Sequence, residues 1–396
     1  MSVMLLASVL PIASSSGTVA AVGIKPDWFT VQWQVQRTES EATLWMCDWS
    51  ENGTLIGCVY FDSHVNIYNA TDGRLVKSLN VPQQTTRCDG YLPKNVKYPT
   101  RYLDFSPDGK MLAVASDDLS AYLFWTSNWT LCKQLRGHKG AVLCCQFSPD
   151  SKYLLTGSGF EKVNGTGIGE NVTKVWDIST GKCLTTLTDQ LNGSVISMIY
   201  SPTGREFAVN SDDSTICIYD ASTFKLKKKL EGHGSGVLDC EWSPDEKRMV
   251  SGSRDYTARV WDLVNNTSVQ YTHANCVRCT RWDKQGRYFI TSGIDKDTAI
   301  QIFDPSKSVP QVVFPQGKEH DSNAMATRFS PDGSRFVSAL GKSRYLVMFD
   351  QEKPVVHLVI FTKERVGLGI FALVSLIALV LIVIRPVRNK MHRRRG

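Results

Sequence analysis

Three residue types associated with acyl transfer lie close together past the middle of the chain: His233, a serine at 251 or 253, and Asp255. A hydroxyl, an imidazole to take its proton and a carboxylate to orient the imidazole are the parts of a nucleophile–base set. A similar group recurs upstream in His138 with Thr156 or Ser158, but the matching aspartate is displaced there by an insertion. That insertion, 159–171, is glycine-rich and contains Thr166, Gly167, Ile168, Gly169 and Asn171. Such backbone can turn N–H groups toward an anion or clasp a partner. It is not a P-loop, since no Gly-Lys-Ser/Thr ends it. The CxxC of Cys276 and Cys279 has the spacing of a half zinc site, yet alternation along a strand sends its thiols to opposite faces, and no second pair accompanies it. No other nucleophile–base pair, metal spacing or paired carboxylates stand out, so the sequence leads us to expect neither a catalytic residue nor a metal or cofactor.

The elements that must position these residues are short strands. Around Asp255, an apolar run at 237–242, a turn, a second run at 247–251, a tight polar turn and a third run at 258–261 read as a meander. One such meander cannot bury both of its faces, so copies must stack radially and close on themselves. The turn marks the copies. Ser50-Glu51-Asn52-Gly53, Ser106-Pro107-Asp108-Gly109, Ser148-Pro149-Asp150, Ser201-Pro202-Thr203-Gly204, Ser243-Pro244-Asp245, Asp283-Lys284-Gln285-Gly286 and Ser330-Pro331-Asp332-Gly333 make seven, at intervals of 56, 42, 53, 42, 40 and 47 residues. The two long intervals mark insertions, at 81–100 and 159–171.

The pairing of Gly232-His233 with Trp261-Asp262 carries a resemblance to the WD-repeat family. The last dipeptide recurs with substitutions as Trp176-Asp177, Tyr219-Asp220, Phe303-Asp304 and Phe349-Asp350, with Tyr68-Asn69 and Phe124-Trp125 in the first two copies. An aromatic suits the wedge between adjacent blades. The resemblance implies an all-β, seven-bladed propeller over residues 26–361. It also implies that His233, a serine (taken as Ser253), Asp255 and Trp261 form a buried hydrogen-bonded tetrad, with His138 and Trp176 in the same roles in blade 3. A set satisfied among its own members is structural rather than catalytic. The strand-like stretch 29–35 is expected to supply the outer strand of the last blade and close the ring, with 354–361 competing for that place.

Composition separates the ends from the body. The tail 385–396 carries six arginines and lysines and no acid; without them 39 bases face 38 acids, which argues against a nucleic-acid-binding surface. Most of the 11 cysteines fall in apolar runs and read as buried free thiols of a reducing compartment. Residues 1–25 read either as an apolar arm or as a signal peptide. Residues 366–384 are uncharged and mostly apolar, enough for about 28 Å of helix, and are expected to be one transmembrane α-helix in contact with lipid. The basic tail, and N-x-S/T acceptors at Asn52, Asn69, Asn128, Asn164, Asn171, Asn192, Asn265 and Asn266, favour a lumenal, glycosylated propeller. The resemblance to WD-repeat proteins favours a cytosolic one, which is the orientation adopted here, with the lumenal one left open.

A cytosolic seven-bladed propeller on one C-terminal span also resembles the endoplasmic-reticulum exchange factor that loads the small GTPase of COPII coats. Thr166-Gly167-Ile168 and Asn171 resemble that family's Gly-rich loop, though that loop lies in the first blade and this one in the third. What these readings add up to is a non-enzymatic protein-interaction scaffold at the endoplasmic reticulum, binding proteins through its face and through loops 81–100 and 159–171. Nucleotide exchange on a small GTPase is the alternative, and a glycosylated receptor-like propeller a second one. The lysine-rich stretch 224–230 reads as edge protection by charge, or as a contact for anionic lipid headgroups.

Overall fold

The computed structural model describes residues 29–36, 42–82, 98–163, 166–188, 191–293, 300–313, 324–340 and 345–351, and every regular element among them is a β-strand. The N-terminal stretch 1–25, most of loop 81–100, Asn164, the rival closing stretch 354–361, the span 366–384 and the tail 385–396 lie outside them.

The strands form seven antiparallel sheets, six of four strands and one of five. Each sheet is a meander in chain order, as the spacing of turns requires, save for the outer strand of blade 7 and an added strand in blade 3. In blade 5 the strands are Val237–Trp242, Arg248–Ser253, Thr257–Asp262 and Thr267–Thr272. The first strands of successive blades touch one another all the way round, and that of blade 7 touches that of blade 1. These seven strands therefore line the axis, and each fourth strand forms an outer edge.

The turn after each first strand is built the same way. In six blades a serine hydroxyl accepts the amide five residues on, and in all of these but blade 4 it also donates to the side chain two residues on. In blade 2, Ser106 Oγ donates to Asp108 Oδ1 at 2.7 Å and accepts Met111 N at 2.8 Å. Blade 6 has no serine there, and Asp283 Oδ1 accepts the amides of Arg287 and Tyr288 at 2.6 and 3.0 Å instead. Seven turns thus reach one geometry with different residues, which is why they can be counted in the sequence.

Closure follows the expectation for residues 29–35. Phe29–Gln36 pairs with Tyr345–Gln351, with Gln34 opposite Val347 and Gln36 opposite Tyr345, and becomes the outer strand of blade 7. The aromatics at the WD position are buried between blades: Tyr68, Phe124, Trp176, Tyr219, Trp261 and Phe303. In three blades this ring stacks on the aromatic opposite it in the second strand, as Phe207–Tyr219, Phe289–Phe303 and Phe336–Phe349 with centroids 5.3, 5.1 and 4.6 Å apart. In blade 2, Phe124 takes the inward place, and the neighbouring Trp125 points outward.

Candidate functional site

The Ser–His–Asp group of blade 5 is assembled, with Ser251 rather than Ser253. His233 Nε2 lies 2.8 Å from Ser251 Oγ, and His233 Nδ1 lies 2.8 Å from Asp255 Oδ2. Trp261 Nε1 donates to Ser251 Oγ at 2.8 Å. The proposed place of Ser253 in the tetrad is corrected: its hydroxyl sits at the strand end and donates to Ser235 O and Gly236 O, tying down the loop that enters the blade. Residues 251 and 253 share a face, so alternation could not separate them; their distance from Trp261 along the sheet does.

Burial pulls the His233 imidazole below its ordinary range, so it is neutral. Burial pushes the Asp255 carboxyl up, but hydrogen bonds from Thr257, the Gly234 amide and His233 outweigh this and hold it below the usual carboxylate range. The order of donation is then Trp261 to Ser251, Ser251 to His233, and His233 to Asp255. This has the polarity of a hydrolase triad, but Ser251 is 0% exposed and its lone pair is occupied by an indole N–H. No substrate carbon can reach it, and the arrangement is structural.

Blade 3 has the same device with a replacement that sequence reasoning missed. His138 Nε2 meets Thr156 Oγ1 at 2.6 Å, and Trp176 Nε1 donates to the same oxygen at 2.7 Å. The missing aspartate is supplied by Glu170, whose Oε1 lies 3.1 Å from His138 Nδ1 and accepts the Lys139 amide at 2.9 Å. In blade 5, Asp255 Oδ2 accepts the corresponding Gly234 amide at 2.8 Å. The longer side chain reaches the site from the far side of the insertion, and a carboxylate one turn outside the expected window was the signal.

We expect Ser251→Ala to cost about 2–4 kcal/mol, because it orphans a buried indole donor and an imidazole acceptor together. A double-mutant cycle by equilibrium denaturation should couple Ser251→Ala to Trp261→Phe and leave Ser253→Ala uncoupled to it. Coupling of Ser253 instead would reverse the assignment.

The glycine-rich insertion is a hairpin. The second strand of blade 3, Tyr153–Val163, runs on past the sheet and Thr166–Gly169 folds back on it, pairing Phe160 with Gly169 and Val163 with Thr166. Backbone N–H groups of this stretch are engaged in a ladder rather than gathered into a cradle. Asn171 follows the hairpin, and its Oδ1 is buried without a hydrogen-bond partner among the described residues. The two CxxC thiols point apart: Cys276 Sγ lies against Arg254 O, and Cys279 Sγ donates to Thr327 O at 3.1 Å.

Several glycan acceptors have a second explanation. Asn52 Oδ1 accepts both the amide and the hydroxyl of Thr54 at 3.1 and 2.7 Å, and Asn128 Oδ1 does the same for Thr130 at 3.0 and 2.7 Å. The N-x-T pattern is that of a turn closed by its own side chains. Asn192, Asn265 and Asn266 are likewise exposed and Asn69 is half-buried. The lysine-rich outer strand, Leu226–Leu230, spends its charges locally: Lys227 pairs with Glu206, Lys228 donates to Leu263 O, and Lys229 lies 3.6 Å from Glu231.

What the motif reading did not find lies on the axis. Two residues before each turn, the first strands carry Asp48, Asp104, Gln146, Ile199, Glu241, Arg281 and Arg328. Arg281 Nη1 donates to Asp239 Oδ2 at 2.6 Å, and Arg328 Nη1 lies 3.9 Å from the same oxygen. Burial pushes Glu241 up to about 7 despite Arg281 beside it. Burial and then the charge of Asp48 push Asp104 well above the carboxylate range. Burial likewise pushes Asp48 up, against the pull of Arg328.

Five residues before each turn, every first strand has a β-bulge: Trp45, Arg101, Leu143, Ile196, Leu238, Arg278 and Met325. A bulge re-aims a side chain away from the pleat. All seven line one recess of about 320 Å³ at the end of the axis where the first strands begin, floored by Asp239, Cys279 and Arg328. The wall is apolar over five positions and cationic over two, and Arg254 adds a third cation. Arg278 lies over the Trp45 ring at 4.1 Å, and Arg101 over Phe61 at 4.7 Å. Such contacts contribute roughly 0.5–2 kcal/mol each. Phe61, beside Trp45 with centroids 5.5 Å apart, is 40% exposed. Tryptophan, arginine and large apolar side chains around a concave centre are the composition of a protein-binding hot spot.

Comparison with known proteins accords with this architecture. The family model for the WD domain, G-beta repeat, matches residues 97–124, 129–177, 181–220, 224–262 and 265–304. Periodic tryptophan protein 2 of Arabidopsis thaliana is 24% identical over 266 residues, 62% of this chain and 28% of that protein. Nuclear distribution protein PAC1-1 of Uncinocarpus reesii is 32% identical over 37% of this chain and 35% of its own length. Pre-mRNA-processing factor 17 of Saccharomyces cerevisiae is 26% identical over 65% of this chain and 57% of its own. The chain thus spans from under a third to rather more than half of these relatives. The matched repeats, the seven closed sheets and the tetrads of blades 3 and 5 together place the chain in the WD-repeat family of β-propellers.

Proposed function

We propose that this propeller is a non-enzymatic protein-interaction scaffold tethered to a membrane of the endoplasmic reticulum by residues 366–384, with the ring in the cytosol. The observation that carries the interaction role is the mouth, where all seven bulges aim side chains into one recess and three of them, Trp45, Arg101 and Arg278, are of hot-spot type. A rigid ring holds them without an ordering cost on binding. Family membership does not name the partner, because one fold serves many functions. The tether is supported by the 19 uncharged residues of 366–384, and it would raise the local concentration of membrane-borne partners.

The test is fractionation of the full chain in sealed microsomes. The chain should resist carbonate extraction, become soluble on deletion of 366–384, and expose its propeller to added protease with no mobility shift on glycosidase treatment. A chain that is soluble without the deletion ends the tether, and a protected, glycosidase-sensitive propeller replaces this reading with the lumenal one. The narrower reading, nucleotide exchange on a small GTPase, is supported by the hairpin 159–171 and by the unpartnered Oδ1 of Asn171. Unchanged nucleotide release after deletion of residues 166–169, beside an active parent, would remove it.

A further inference from the structure

Three arginines reach the mouth, and their partners differ. Arg101 is clamped by Asp117, with Nε 2.7 Å from Oδ1 and 2.8 Å from Oδ2 and with Nη2 2.5 Å from Oδ2. Arg254 Nη1 donates to Asp212 Oδ1 at 2.6 Å. Arg278 makes no hydrogen bond or ion pair with any described residue. It lies over the Trp45 ring, at the bulge of blade 6, and lines the recess. Asp117 and Asp212 thus pair with two of the three guanidinium groups; Arg101 and Arg278 both lie over aromatic rings, but Arg278 has only the ring. Burial draws Arg278 down to about 10, with Cys279 and Asp239 opposing the fall and Arg254 and Arg101 adding to it, so it stays charged at neutral pH.

A cation in that position is costly to the free protein. It has lost part of its hydration, Arg254 and Arg101 repel it while Asp239 attracts it from beyond contact, and its N–H fork is left without a partner among the described residues. A bidentate acceptor would satisfy the fork and the charge together. The surrounding wall (Trp45, Leu238, Met325 and the exposed ring of Phe61) asks for apolar side chains beside that acceptor. On the floor, Asp239 attracts Arg278 without pairing with it, and Asp239 Oδ2 is already engaged by Arg281 and the Thr280 amide.

We propose that the mouth binds an extended peptide segment of a partner protein through an aspartate or glutamate side chain, seated on Arg278 and flanked by apolar residues that pack on Trp45. This rests on the mouth being the partner surface and adds the chemistry of what it takes. Arg278 is the specificity-determining residue, and Trp45 both orients its guanidinium and supplies apolar contact.

The test uses the soluble side of the full chain in detergent and an array of dodecapeptides with a leucine–alanine background. The central position is varied among Glu, Asp, Gln, Asn, Lys and phosphoserine. Glu and Asp peptides should bind roughly tenfold to a hundredfold more tightly than their amide counterparts. Arg278→Gln should abolish that preference, and Trp45→Ala should weaken every peptide. Equal binding of Glu and Gln peptides that is still lost in Trp45→Ala overturns the carboxylate site and leaves the mouth as partner surface. Binding indifferent to both substitutions, or no binding, overturns both, and a preference for Lys or phosphoserine overturns the proposal. A reading without any ligand accompanies it: Arg278→Met should leave the melting temperature unchanged or raise it, because it removes a desolvated cation that has no hydrogen-bonded partner among the described residues. A fall of several degrees would show that Arg278 supports the fold, and would overturn the proposal.

Discussion

Asp239→Ala should destabilise the ring by about 3–5 kcal/mol, the range for breaking a buried ion pair from one side. Asp239 is 6% exposed and holds Arg281 at 2.6 Å, with Arg328 at 3.9 Å. Once it is removed, two arginine side chains, 6% and 7% exposed, are left with only the more distant Glu241, 3.9 Å from Arg281 Nε, and Asp48, 4.0 Å from Arg328 Nε. The loss should come mainly from these stranded cations rather than from the missing contact. Replacing both partners, as Asp239→Leu with Arg281→Met, should therefore recover most of it. Equilibrium urea denaturation of the single and double variants decides the matter. A single variant within about 0.5 kcal/mol of the parent would mean that water reaches the axis and solvates the arginines, and the description of the axis as a dry ion network would fall.

Deleting residues 29–36 should have the larger effect, the loss of the closed monomer. Without that strand, Tyr345–Gln351 becomes an open edge with unpaired N–H and C=O groups, and blade 7 has three strands. Open edges pair with other chains, so we expect oligomers by size-exclusion chromatography and rapid proteolysis. Deleting 354–361 should leave a monodisperse ring, because the edge it competes for is already covered by Phe29–Gln36. A monomeric, protease-resistant ring after loss of 29–36 would show that another segment can close it. The closure also explains a folding constraint: the ring cannot shut until residues more than 300 apart in sequence meet, as Gln34 and Val347 do.

Much of this was legible beforehand because a propeller repeats. The seven turns could be counted since each needs a serine or aspartate to accept the amide five residues on, and that local demand leaves a mark in the sequence. The WD-position aromatics and the closing strand could be read for similar reasons, since period-two alternation and aromatic choice answer to local burial. Ser251 against Ser253 could not be decided, as both sit on one strand face and only the position of Trp261 separates them. Glu170 was missed because an insertion moved its carboxylate out of the expected window while leaving its target, His138, unchanged. The mouth was missed for another reason: Trp45, Arg101 and Arg278 are separated by blades in the chain and read singly as ordinary surface residues.

By itself the sequence determined the number of blades and the residue types that cap every turn, because these answer to neighbours a few positions away; it offered 29–35 as the closing strand with 354–361 as a rival, and the pairing with 345–351 chose the first. The tertiary structure alone decided which side chains meet on the axis and at its mouth. Seven bulges, one per blade, bring together residues that span 280 positions of chain, from Trp45 to Met325. It likewise decided that two of three mouth arginines find a carboxylate and the third an indole ring. Charge compensation depends on distances in space, and a ring fixes those only when it closes.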